Sequence, residues 1–127
     1  MLDNFDEFLK TKTAILVEDD SDTTEVFSRM LGYIMKSVDV ARNGKEGLEL
    51  IHAENPDIVI TDIEMPVMNG LELLREIKKT HPQKIVIVVT AFQDEAQQAK
   101  EADAVLIKPV LKDDLKKKLQ EAFAARH

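Results

Sequence analysis

Short apolar runs alternate with longer stretches of helical period along this chain. Ala14, Ile15, Leu16 and Val17 form an unbroken run of strand length. Residues 21–35 then carry Val26, Phe27, Met30, Leu31 and Ile34, which predict one apolar face of a helix, with Asp20, Ser21 or Asp22 as N-cap. Val38 and Val40 alternate with polar neighbours, as an outer strand would. Asn43 and Gly44 open a helix bearing Leu48 and Ile51, and Asn55-Pro56 stops it. Residues 58–60 give a third strand. Leu71, Leu74 and Ile77 mark the next helix, which ends near His81-Pro82. Residues 85–89 are β-branched throughout, the signature of a central parallel strand. A short polar helix fits residues 93–101, a last strand residues 104–107, and a closing helix carries Leu111, Leu115, Leu119 and Phe123.

Five strands alternating with five helices predict a parallel α/β sheet with helices on both faces and right-handed crossovers. There is no internal repeat or low-complexity linker. The length of 127 residues suits one domain. The domain is expected over residues 12–127, after an extension over 1–11 in which Phe5, Phe8 and Leu9 either form a short extra helix or fray.

Composition narrows the function. Seventeen basic residues against 24 acidic ones give a net charge of −7, which argues against nucleic acid as a direct partner. Without cysteine, neither disulfides nor a thiolate metal site can form. The longest apolar runs are far too short to span a membrane. The acidic, interrupted N-terminus does not read as a signal peptide, so a cytoplasmic location is the expectation.

The chemistry gathers at strand ends, where an α/β sheet places its ligands. The first strand runs into Glu18-Asp19-Asp20, the third ends in Asp62, the fourth in Thr90-Ala91 and the fifth in Lys108-Pro109. In a parallel sheet these ends point the same way, so the carboxylates converge. Two unit charges about 4 Å apart repel by roughly 4 kcal/mol at an effective dielectric of 20. A protein that accepts this repulsion usually seats a cation in the cluster, and an all-oxygen set suits Mg²⁺ or Mn²⁺. A run of acids alone would read as a solvated loop; acids at two separate strand ends reverse that preference. Thr90 can donate to an oxyanion on Asp62, although a strand-end Thr is often a helix cap. Lys108 can hold the acids by charge, and a cis Lys108-Pro109 bond would aim it into the cleft. A metal-binding acid pair, an Asp, a hydroxyl and a Lys are what phosphoryl transfer to a carboxylate requires.

Taken as a set, Ile15-Leu16-Val17-Glu18-Asp19, Asp62-Ile63-Glu64-Met65-Pro66-Val67-Met68-Asn69-Gly70, Val88-Val89-Thr90-Ala91 and Leu106-Ile107-Lys108-Pro109 resemble the receiver domain of two-component response regulators over about residues 12–124. The resemblance implies a doubly wound, flavodoxin-like sheet. It implies that Asp62 accepts a phosphoryl group from a phosphohistidine on a sensor histidine kinase or phosphotransfer protein, and that the domain then changes partners. Asp19 would ligate Mg²⁺, Glu18 would act beside it, Glu64 would lend its backbone carbonyl, Thr90 would swing towards the phosphoryl group and Lys108 would pair with it. Asp20 is the ambiguous acid.

Three departures from the family pattern stand out. Val105 occupies a position that is usually aromatic, which leaves Thr90 and loop movement to signal without it. Thr90 and Lys108 are 18 positions apart, about four fewer than in the family, so the fourth helix of the pattern should be about one turn short and the usual output face reshaped. Glu64 and Phe92 hold positions that tune phosphate lifetime; Phe92 either shields the phosphoryl group or packs as an ordinary loop aromatic. No effector domain is expected. His52, His81 and His127 lack metal-binding spacing and read as surface residues. Two other readings compete. A haloacid-dehalogenase-like phosphohydrolase would use similar groups, but its nucleophile normally lies on the first strand. A pseudo-receiver would bind partners without phosphorylation, but here all five site positions hold competent residues.

Overall fold

The computed structural model describes residues 2–126. Six helices and five strands follow in the order α1 (Leu2–Leu9), β1 (Thr13–Val17), α2 (Ser21–Ile34), β2 (Ser37–Ala41), α3 (Gly44–Glu54), β3 (Ile58–Asp62), α4 (Gly70–Thr80), β4 (Ile85–Thr90), α5 (Gln93–Ala96), β5 (Ala104–Ile107) and α6 (Lys112–Ala124). The sheet has the order β2-β1-β3-β4-β5 and every neighbouring pair is parallel. The expected doubly wound α/β fold is therefore present.

Side-chain alternation divides the core into two layers. Ile85, Ile87 and Val89 of β4 join Phe27, Leu31, Leu115 and Leu119, so α2 and α6 cover one face. Val86 and Val88 join Ile51, Leu73, Leu74 and Ile77, so α3 and α4 cover the other. This two-sided burial is why β4 is apolar at successive positions rather than alternate ones.

The sixth helix lies in the N-terminal extension. Leu9 of α1 is fully buried in the α2/α6 layer. Phe8 meets Phe123 edge to face with ring centroids 4.9 Å apart, and Asp6 pairs with Lys116. The extension is thus packed onto α6 rather than frayed.

Some details differ from the sequence pattern. Val26, expected on the core face of α2, is 70% exposed, and Phe27, Leu31 and Ile34 form that face. On α4, Leu73 is buried while Leu71 is only partly covered. Leu111 is the N-cap of α6 and 62% exposed. The polar helix is a single turn, shorter than residues 93–101. After it, Asp103 ties the chain down: its carboxylate accepts from Lys78 Nζ at 3.1 Å, from the Val86 amide at 2.8 Å and from Arg126 Nη2 at 2.7 Å. His52 and His81, far apart in sequence, pack with ring centroids 5.3 Å apart. Burial, then Lys84 and His52, lower the pKa of His81. His127 lies outside the described residues.

Candidate functional site

Register places the site. Val17 pairs with Thr61, Asp62 with Val89, and Thr90 with Ile107. Glu18, Asp62, Thr90 and Lys108 therefore leave the sheet along one edge. The Lys108 amide donates to the Thr90 carbonyl at 2.9 Å, which extends the β4–β5 ladder to the site itself. The Lys108–Pro109 bond is cis.

The carboxylates converge as expected. Oxygens of Glu18, Asp19 and Asp62 all lie within 4.8 Å of one another. Lys108 Nζ donates to Glu18 Oε1 at 3.1 Å and to Asp62 Oδ2 at 3.3 Å. The Ile63 amide donates to Asp62 Oδ1 at 2.8 Å. A carboxylate has about four lone-pair sites, so these two bonds fix the orientation of Asp62 and leave acceptor capacity free.

Glu18 is 3% exposed. Burial, and then the charge of Asp62, raise its pKa above the ordinary carboxyl value against the opposing pull of the Asp20 amide and Lys108. Burial pulls Lys108 down, but the hydrogen bond to Glu18 and the charges of Asp62 and Glu18 outweigh it, so the ammonium is held. Asp20, the ambiguous acid, caps α2 instead: its Oδ2 accepts from the Thr23 amide at 2.8 Å and from the Thr23 hydroxyl at 2.6 Å. Those bonds lower its pKa.

The loop after β3 is fixed by close packing. The Gly70 amide donates to the Ile63 carbonyl at 2.8 Å. A Cβ on Gly70 would lie 1.9 Å from the Asp62 carbonyl oxygen, so only glycine fits behind Asp62. Gly44 lets α3 approach in the same way, its amide donating to the Met68 carbonyl at 2.9 Å. Asn69 and Glu72 form a reciprocal capping box that starts α4 directly from this loop. Just before Asn69, the Met68 amide donates to the Pro66 carbonyl at 2.8 Å around Val67, whose φ is 71°.

Thr90 is buried at the same edge, but its hydroxyl donates to Glu95 Oε1 at 2.6 Å, not to Asp62. Glu95 escaped the sequence reading. Glu64 also faces it: a hydrogen bond to Glu95, then the charge of Glu95, raise the pKa of Glu64. Phe92 is exposed, which disfavours its reading as a packed loop aromatic. Val105 stands beside Val88 on β5 and packs against the α3/α4 layer.

A family model for the response regulator receiver domain matches residues 14–120. The chain belongs to that family. This receiver domain is similar to the protein-glutamate methylesterase/protein-glutamine glutaminase of Geobacillus kaustophilus, at 38% identity over 70% of this chain and 26% of that protein. It is similar to the DNA-binding transcriptional regulator NtrC of Escherichia coli, at 40% over 62% of this chain and 17% of that one. It also resembles a cyclic di-GMP phosphodiesterase of Thermotoga maritima, at 35% over 90% of this chain and 32% of that one. The receiver domain thus spans a third or less of each of these relatives. Among solved structures, the response regulator TrrA of Thermotoga maritima in complex with Mg²⁺-BeF superposes with a TM-score of 0.81 at 31% identity, covering 88% of this chain and 99% of that one. A CheY-like receiver from Methanospirillum hungatei gives 0.82 at 29% identity, covering 91% and 96%. No helix among the described residues is long and apolar enough to cross a membrane.

Proposed function

We propose that this receiver domain takes a phosphoryl group from the phosphohistidine of a sensor histidine kinase or histidine phosphotransfer protein onto Asp62, and then changes its binding partner. One observation carries this reading: three carboxylates from two strand ends meet within 4.8 Å of one another beside an ammonium bonded to two of them. An Asp62 oxygen forms the new P–O bond in line as the P–N bond to the donor imidazole breaks, and the freed imidazole nitrogen takes a proton.

The donor set is all oxygen, and so fits Mg²⁺ and also accommodates Mn²⁺. Glu18, Asp19, Asp62 and the backbone carbonyl of Glu64 are the residues we assign to it. Such an ion, when bound, neutralises charge on the transferring oxygens. Lys108 supplies a second positive charge for the same task while holding Glu18 and Asp62 in place. Thr90 is assigned to the phosphoryl oxygens once it is released from its present partner. Ala91 leaves room at that edge, Phe92 limits access of water, and Val105 and Pro109 shape the approach.

An apolar groove beside Lys108, lined by Val26, Phe27, Met30, Pro109 and Val110, supports docking of a protein donor within reach of Asp62, and accounts for an exposed valine on α2. We read residues 12–127 as one receiver domain, with 1–11 as an extension. Its chemistry is limited to its own phosphorylation and dephosphorylation, which sets it apart from a phosphohydrolase. We place it in the cytoplasm, with proteins rather than nucleic acid or membrane as direct partners.

With Mg²⁺ and acetyl phosphate, intact mass should show one phosphoryl adduct on the wild type and none on Asp62→Asn. A wild type that binds Mg²⁺ but gains no adduct overturns this reading.

A further inference from the structure

Thr90 has a single hydroxyl proton, and that proton is already committed. Its Oγ1 donates to Glu95 Oε1 at 2.6 Å, while Thr90 Oγ1 itself accepts from the Phe92 amide at 3.2 Å. Thr90 is 1% exposed, so solvent does not compete for it. A hydroxyl offers one donor, and a bond to a carboxylate is about twice as strong as one between neutral groups. While the bond to Glu95 persists, Thr90 has nothing to give a phosphoryl oxygen on Asp62.

Beside Val88 on β5 stands Val105, which has no polar side-chain atom. Glu95 sits on α5, a single turn of four residues whose ordered ties include the Ala96 amide to the Phe92 carbonyl at 3.1 Å. The Thr90–Glu95 bond therefore fastens this short, largely exposed turn to the end of β4.

We propose that Glu95 is a positioning residue: its carboxylate latches the Thr90 hydroxyl away from Asp62, and phosphorylation signals by winning that proton and letting α5 go. The inference rests on the phosphoacceptor reading and deepens it. Two anionic acceptors compete for one donor. When the phosphoryl oxygens take it, Glu95 loses its partner, faces Glu64 without it, and the turn over residues 93–96 is free to move. A carboxylate would then serve the switching role for which the family pattern has an aromatic side chain at position 105.

Beryllium fluoride, a stand-in for the phosphoryl group, tests this directly. Its affinity in saturating Mg²⁺ can be measured by calorimetry for wild type, Glu95→Ala, Glu95→Gln, Thr90→Ala and Glu95→Ala/Thr90→Ala. Loss of one charge-assisted hydrogen bond predicts about tenfold tighter binding for Glu95→Ala. Glu95→Gln keeps an acceptor oxygen without the charge and should fall between. The gain should vanish once Thr90 is alanine, because the cycle isolates the pair. Unchanged or weaker binding by both Glu95 variants overturns the latch. An equal gain in the Thr90→Ala background also overturns it, since the carboxylate would then act by charge alone. A wild type that ignores beryllium fluoride sinks the phosphoacceptor reading and the latch together, whereas a wild type that binds beside indifferent Glu95 variants sinks the latch only.

Discussion

Val67 shows how much a single position can carry. Its φ of 71° and the 2.8 Å bond from the Met68 amide to the Pro66 carbonyl describe a γ-turn with positive φ around a β-branched residue. Left-handed backbone costs a non-glycine residue about 1–2 kcal/mol. Glycine would remove that cost and give back about 0.5–1 kcal/mol through a freer unfolded chain. Val67 is exposed, so little packing is lost. Val67→Gly should therefore raise the unfolding free energy by about 0.5–1 kcal/mol in urea titration, and a decrease would mean the turn is not strained. Neither this turn nor the Thr90–Glu95 bond can be read from the sequence, because each depends on a local backbone course that residue spacing does not specify. Glu18, Asp19, Asp62 and Lys108 were legible for the opposite reason: strand direction alone brings such ends together.

At the scale of elements, the same contrast holds. β4 announces itself because a strand covered on both faces is apolar at successive positions, here 85–89, with the polar Thr90 only at its end. The faces of α2 and α4 differ from the sequence pattern by about one position at Val26 and Leu73, since 3.6-residue periodicity tolerates either inclination until the sheet's twist selects one. For α1 the sequence leaves helix and frayed end both open, because eight residues cannot hold a helix by propensity alone. Tertiary packing decides it: Leu9 is sealed in the core and Phe8 lies on Phe123. Leu9→Ala should cost about 2–5 kcal/mol, measured by denaturant unfolding. A cost under about 0.5 kcal/mol would show that α1 contributes nothing to the domain.

The molecule as a whole concentrates negative charge at one edge of a chain that already carries a net −7. Glu18 has a raised pKa, so the stability it contributes is complete below the ordinary value of 4.5 and is lost as pH rises through the raised value. At neutral pH the ionised cluster therefore opposes folding in spite of Lys108, and a divalent ion bound there would relieve it. Mg²⁺ at a hundred times its Kd should stabilise the protein by about 2.7 kcal/mol, a Tm rise on the order of 10 °C. Asp19→Ala should lose most of that rise while melting no lower than wild type in chelator. An Mg²⁺ response that survives the substitution would remove Asp19 from the ligand set.

The N-terminal helix has one more consequence. The segment before β1 acts as a lid on an oily seam, with Leu9 below and the Phe8–Phe123 edge contact above. A shortened protein starting at Thr13 would keep every group of the carboxylate edge, yet leave that seam bare and adhesive. Trimming to the conventional boundaries of the domain would exchange a covered apolar seam for one prone to sticking to its own copies.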